Sequence, residues 1–131
     1  MAYQCVVTGV NKQVHSTDYA VVDVLPRDIT DPALTDRYDL VAGFEMLHDL
    51  SRPVEALAAM RRLLTDDGTV LIVDERVAES FTAPGDALER LFYGFSTLCC
   101  LPTGMADQPS AATGTVMRPA TLRSYAHAAG F

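Results

Sequence analysis

The chain has 131 residues, 49 % apolar and 21 % charged, with a formal charge of −7, the balance of an ordinary globular domain. That acidity speaks against nucleic acid or an anionic membrane as a partner of this segment, and no apolar run approaches the ~20 residues that span a bilayer. The first residues hold no basic stretch followed by a long apolar one, so a cytoplasmic location is expected.

Two segments near the start, YQCVVTGV and DYAVVDVLP, are rich in β-branched and aromatic residues and are predicted strands, joined by the polar NKQVHSTD. Arg27 to Leu34 reads as a loop, with Pro32 blocking a helix before it. Leu40, Val41 and Ala42 form an apolar run too short for a helix and fit an internal parallel strand. A helix is predicted next, capped by the Ser51 hydroxyl, with Pro53 near its first position and Glu55 at the positive end of its dipole. Val54, Leu57, Met60 and Leu64 make one apolar stripe, and Arg61 and Arg62 sit at the negative end. Asp67-Gly68 is expected to stop this helix, the glycine in the left-handed conformation. Thr69 to Val73 is then a second strand, expected to be covered on both faces. Strand, helix and strand in that order make a βαβ unit.

After a loop from Thr82 to Asp86, a second helix is predicted with Leu88, Leu91, Phe92, Phe95 and Leu98 on its packed face; Tyr93 beside them reads as helix core too. Pro102 to Gly114 reads as a long mobile connection of the kind that forms lids or binding loops. A last helix is predicted from about Thr121, with Gly130 as its stop. The three cysteines, Cys5, Cys99 and Cys100, support neither a disulfide framework nor a paired zinc motif. They read as reduced thiols, Cys99 and Cys100 as buried apolar fillers, with a place facing a pocket as the alternative. Glu45 and His48 stand at E-x-x-H spacing; a single such motif does not make a zinc or di-iron site, and no metal is expected.

From Val24 onward the order "strand, Asp, loop, YDLV, F-E-x-L-H-D-x-x-x-P, helix, L-L-x-x-x-G, T-V-L-I-V-D-E" resembles the class I S-adenosylmethionine-dependent methyltransferases. The later runs ERLFYGFSTLCCLPTGM and ATGTVMRPATLRSYAHAAGF resemble a bacterial subfamily with a winged-helix segment before the catalytic domain. The resemblance implies a partial Rossmann-like α/β fold, mainly a parallel sheet with flanking helices, lacking the glycine-rich first βα unit. Residues 1–131 are then expected to be one partial domain, with 1–23 unmatched and 24–131 matching its C-terminal part. It also implies S-adenosyl-L-methionine as cofactor. Asp28 matches the acidic residue that accepts from the adenine amino group, with Ile29 against the ring. Phe44 and Glu45 match the residues touching the methionine part, and His48 matches a histidine at the active-site mouth, a candidate general base. Packing or helix capping is the competing role for His48, as a solvated turn is for Asp28. Asp74 and Glu75 close a strand at the end of the sheet where open α/β sheets bind ligands.

The chain also departs from that family. No G-x-G-x-G turn occurs in it, Thr8-Gly9-Val10 being a lone glycine in a strand-like setting. No acidic residue can be assigned to the ribose hydroxyls, a His-Cys pair of the subfamily is replaced by Cys99-Cys100, and the chain stops before the last two strands of the fold. The expected activity is methyl transfer to a small-molecule nucleophile, weak or absent for this chain alone. The alternative is a degenerate, non-catalytic dimerisation or regulatory module, two copies meeting across an exposed sheet edge.

Overall fold

The structure, a computed structural model, describes residues 6–8, 23–25 and 27–131. Cys5, Gly9 and the polar stretch 11–18, all read above from sequence, lie outside the described residues. The chain divides into two compact units, Met1–Thr35 and Asp36–Phe131. In the first, β1 (Val6–Thr8) and β2 (Asp23–Leu25) pair antiparallel, Val7 opposite Val24, so both predicted strands form. The segment after them turns on Asp28, with Ile29 and Leu34 buried.

The second unit is built on β3 (Tyr38–Phe44), a 3-10 turn (Leu47–Asp49), α1 (Pro53–Arg62) and β4 (Leu64–Val73). β3 and β4 are parallel, with Ala42 opposite Leu71 and Phe44 opposite Val73. This is the predicted βαβ unit, and it gives the small α/β architecture with flanking helices. Pro53 sits at the first turn of α1, where its missing N–H leaves no intrahelical bond unmade. Ala56, Leu57, Ala59 and Met60 are buried along one side of the helix, and Leu63 and Leu64 continue that core.

Several expectations are corrected here. The cap of α1 is Arg52, without a side-chain bond; the carbonyl of Ser51 is instead taken by the Ala111 N–H at 2.8 Å, so Ser51 serves the later loop. The helix stops at Leu63 rather than at Asp67-Gly68, because Leu63 and Leu64 both turn into the core. Asp67-Gly68 then lies in an irregular excursion of β4, where the register jumps from Tyr38↔Leu64 to Leu40↔Thr69. Gly68 is required there by closeness, not by a left-handed backbone: a Cβ would stand 2.9 Å from the Tyr38 carbonyl oxygen.

The sheet is covered on one face. Gly43 and Ile72 look toward Met60 of α1. Leu40, Phe44, Leu71 and Val73 on the opposite face are exposed, Phe44 by 61 %. The expectation of two covered faces therefore fails among the described residues, where that second face stays exposed.

Downstream, α2 (Ala87–Phe95) runs through a π-helical turn (Ser96–Cys100) into α3 (Leu101–Met105). The π turn, with Leu101 N–H bonded to the Ser96 carbonyl, accommodates Pro102, which has no N–H to give. Pro102 thus begins a helix, not a loop. The loop that does follow is pinned by Ala111 N–H to Ser51, Gly114 N–H to His48 and Thr113 Oγ1 to Tyr125. α4 (Pro119–Ala128) starts two residues before its predicted start and packs on α1; Gly130, with φ +94°, follows its end as expected.

The largest correction concerns α2, whose buried residue is Glu89, 4 % exposed. Leu88, Leu91, Phe95 and Leu98 face outward, Leu98 by 84 %. Glu89 is held inward by an ion pair: Arg118 Nη1 reaches Glu89 Oε1 at 2.8 Å and the Ala78 carbonyl at 2.7 Å, while Nη2 reaches the Tyr93 hydroxyl at 3.1 Å. That pair, with Asp86 capping the Glu89 N–H at 2.8 Å, holds the polar side of the helix inward.

Candidate functional site

The parallel register brings the carboxyl ends of β3 and β4 side by side. The Glu45 N–H extends the ladder to the Val73 carbonyl at 2.8 Å. Glu45 itself takes φ +48°, a left-handed conformation that costs a non-glycine residue about 1–3 kcal/mol and recurs at ligand sites. The kink throws the chain into the 3-10 turn, where Leu47 is wholly buried and His48 is 4 % exposed. His48 Nδ1 lies 2.6 Å from Oδ1 of Asp74, the first residue after β4. Because a carboxylate accepts, the Nδ1 carries the proton and Nε2 presents its lone pair whenever the ring is neutral.

Charge is concentrated at this end. The Asp74 hydrogen bond is the main cause that raises the His48 pKa, opposing burial, which lowers it; Asp74, Asp49 and Glu45 add their attraction. Desolvation, followed by repulsion from Glu75 and Asp74, raises the Glu45 carboxyl. Asp74 Oδ1 also accepts the Glu75 N–H at 2.9 Å, whereas the buried Oδ2 has no hydrogen-bond partner among the described residues. A buried carboxylate oxygen left in that state favours a cationic or donor ligand.

On its other side the imidazole faces Asp49, with Nε2 3.4 Å from Asp49 Oδ1, outside hydrogen-bond geometry. Cys100, half-buried, lies against the same group. Burial is the main cause that pushes its thiol up, ahead of the opposing contact with Thr115 and the repulsion of Asp49. Glycines make this convergence possible. A Cβ on Gly104 would come 3.3 Å from the Asp49 carbonyl oxygen, and one on Gly114, at φ +69°, would collide with Ser96 Oγ. Ser96 Oγ also accepts the Thr115 N–H at 3.1 Å, which fixes Thr115 beside the cluster.

Of the residues singled out from sequence, Glu45 and His48 meet, joined by Asp74, and Phe44 is exposed next to them. Asp28 and Ile29 belong to the first unit. There Asp28 Oδ1 accepts from the Thr30 N–H (2.8 Å) and Thr30 Oγ1 (2.6 Å), the bonding of a side-chain-stabilised turn, and Ile29 is 6 % exposed. Asp49, Cys100 and Thr115 were not read as site residues. The expectation that both adjacent cysteines are buried fillers is corrected, because the π turn leaves Cys99 exposed and turns Cys100 toward Asp49. Only the adjacency of His48 and Asp49 hinted at this; the approach of Cys100 and Thr115 has no sequence signal.

Among the described residues no helix is long and apolar enough to cross a membrane. A search of curated proteins finds none that matches the chain. A family model described as a methyltransferase domain matches residues 4–72, a stretch that holds β1, β2, β3, the 3-10 turn, α1 and nearly all of β4. With its parallel βαβ unit ending in the Glu45–His48–Asp74 cluster, and more than half its length matched, this chain belongs to the methyltransferase-domain family, the class I S-adenosylmethionine-dependent enzymes.

Proposed function

We propose that the chain is a partial methyltransferase domain whose site serves methyl transfer from S-adenosyl-L-methionine to a small-molecule nucleophile, in a reducing cytoplasmic setting that keeps its thiols free. The observation that carries the reading is the acidic end of the βαβ unit, with its unpartnered, buried Asp74 Oδ2. That oxygen, Glu45 and Glu75 fit the cationic methionine end of the cofactor, which when bound supplies an electrophilic sulfonium methyl. Phe44 gives an apolar surface beside them. His48, its tautomer set by Asp74, is the group that accepts a proton when the nucleophile is a hydroxyl, and Glu45 is the exposed carboxylate at the mouth. The protein's share of catalysis is alignment and exclusion of water.

No glycine turn stands in the sequence to hold the rest of the cofactor. The chain by itself is therefore expected to bind S-adenosylmethionine with a dissociation constant weaker than about 100 µM, corresponding to less than about 5.5 kcal/mol. Isothermal titration checks this; a micromolar constant from the monomer overturns the proposal of weak binding.

A second reading, a non-catalytic dimerisation module, draws support from the exposed apolar face of Leu40, Phe44, Leu71 and Val73. A second copy covering that face would bury all four. Sedimentation is then expected to give a dimer that Leu71→Asp converts to a monomer, and a compact monomer before substitution removes this reading.

A further inference from the structure

We propose that His48 Nε2, Asp49 Oδ1 and Cys100 Sγ form a binding site for a single divalent transition-metal ion of the zinc type. One ligand atom from each of the three residues lies within 4.8 Å of the other two, the residues being contributed by the 3-10 turn and by the π turn after α2. An imidazole nitrogen, a carboxylate and a thiolate are the ligand set of a borderline-soft d10 cation.

The distances distinguish this side of the histidine from the other. His48 Nδ1 and Asp74 Oδ1, at 2.6 Å, are closer than two ligands of one metal and form a hydrogen bond. His48 Nε2 and Asp49 Oδ1, at 3.4 Å, make no hydrogen bond. Yet metal–ligand bonds of about 2.0–2.1 Å in a tetrahedron imply a ligand–ligand edge of about 3.3 Å. The Asp74–His48 bond then takes the place of the outer carboxylate that orients a ligating imidazole and makes its free nitrogen more basic.

Two buried polar atoms point the same way. Asp49 Oδ1 has no hydrogen-bond partner among the described residues. Thr115, 3 % exposed, has a buried Oγ1 likewise without one, and it lies beside the Cys100 thiol. Both stand against the Cys100 thiol; an ion there takes Asp49 Oδ1 as a ligand, and a water in its fourth position gives Thr115 Oγ1 a partner. Binding exchanges the proton on Cys100 Sγ, released to solvent, for a sulfur–metal bond, with no change of oxidation state. The proposal does not depend on methyl transfer. A cation on Nε2 would, however, take the lone pair that the methyl-transfer reading assigns to proton acceptance.

The test is a Co2+ titration of the full chain without S-adenosylmethionine, followed by Zn2+ competition. The expected result is a thiolate-to-cobalt charge-transfer band with tetrahedral visible absorption at one ion per chain, both abolished by Zn2+. Cys100→Ser is expected to abolish the charge-transfer band, Asp49→Asn to weaken binding at least tenfold, and Asp74→Asn to weaken it about 10–100-fold. Cys99→Ser leaves the titration unchanged. To guard against misfolded variants, the unsubstituted chain is alkylated with iodoacetamide, with and without Zn2+, and the modified thiols are located by mass spectrometry. Protection of Cys100 but not Cys99 supports the site. Absence of a thiolate band, a band that survives Cys100→Ser, or protection of Cys99 in place of Cys100 overturns it.

Discussion

Glu89→Ala is expected to destabilise the second unit by about 3–5 kcal/mol, the usual result of removing one partner from a buried ion pair. The Glu89 side chain is 5 % exposed and that of Arg118 16 %, so the truncation strands a guanidinium with little access to water. The damage extends past one contact. Arg118 also holds the Ala78 carbonyl and the Tyr93 hydroxyl, and thereby fastens the segment after β4 and the middle of α2 to the start of α4. Tyr93 in turn stands edge-on to Phe81 with ring centroids 6.3 Å apart. Urea unfolding of the variant measures the effect, and a loss below about 1 kcal/mol would show that the pair does not anchor the helix. The exposed pair Arg123–Glu79, at 3.3 Å with both side chains mostly in water, is the matched control; breaking it is expected to change stability by less than about 1 kcal/mol.

Leu47→Ala is expected to cost about 2–5 kcal/mol, the range for emptying a leucine site in a close-packed core. Leu47 has no exposed surface, and it is the apolar anchor of a three-residue turn with little stability of its own. Because His48 is the next residue, the same change is expected to loosen the 2.6 Å bond between His48 and Asp74. The denaturation midpoint reports the first effect, and loss of the downfield proton resonance of a short imidazole–carboxylate hydrogen bond reports the second. Leu98→Ala, at a side chain 84 % exposed, should stay within about 0.5 kcal/mol of the parent. Equal losses at the two leucines would contradict the core placement of Leu47.

Much of the fold was legible because it rests on local rules. Pro53 at the helix start, the Leu57 and Met60 stripe and the β-rich runs around Ala42 and Leu71 each constrain only a few neighbouring residues. Their order dictates a right-handed strand–helix–strand crossover, and the parallel register of Ala42 with Leu71 follows from it. The part of the site at the strand ends was legible for the same reason: once the two strands are parallel, Glu45 and Asp74 must emerge at the same end.

The sequence by itself therefore determined the βαβ unit, the placing of Phe44, Glu45 and Asp74 at its carboxyl end, and the absence of a glycine-rich cofactor turn. Tertiary structure alone decided which face of α2 is buried, where Asp67-Gly68 falls and which groups meet behind His48. Helical periodicity locates an apolar stripe but not the side that will face the core, and in α2 the inward side carries Glu89, paired with the distant Arg118. Likewise Cys100 reaches Asp49, and Thr115 reaches Cys100, because the π turn and the Gly114 backbone bring distant segments into contact. Such long-range contacts depend on how packing energy is shared across the whole unit, and no short window of residues encodes them.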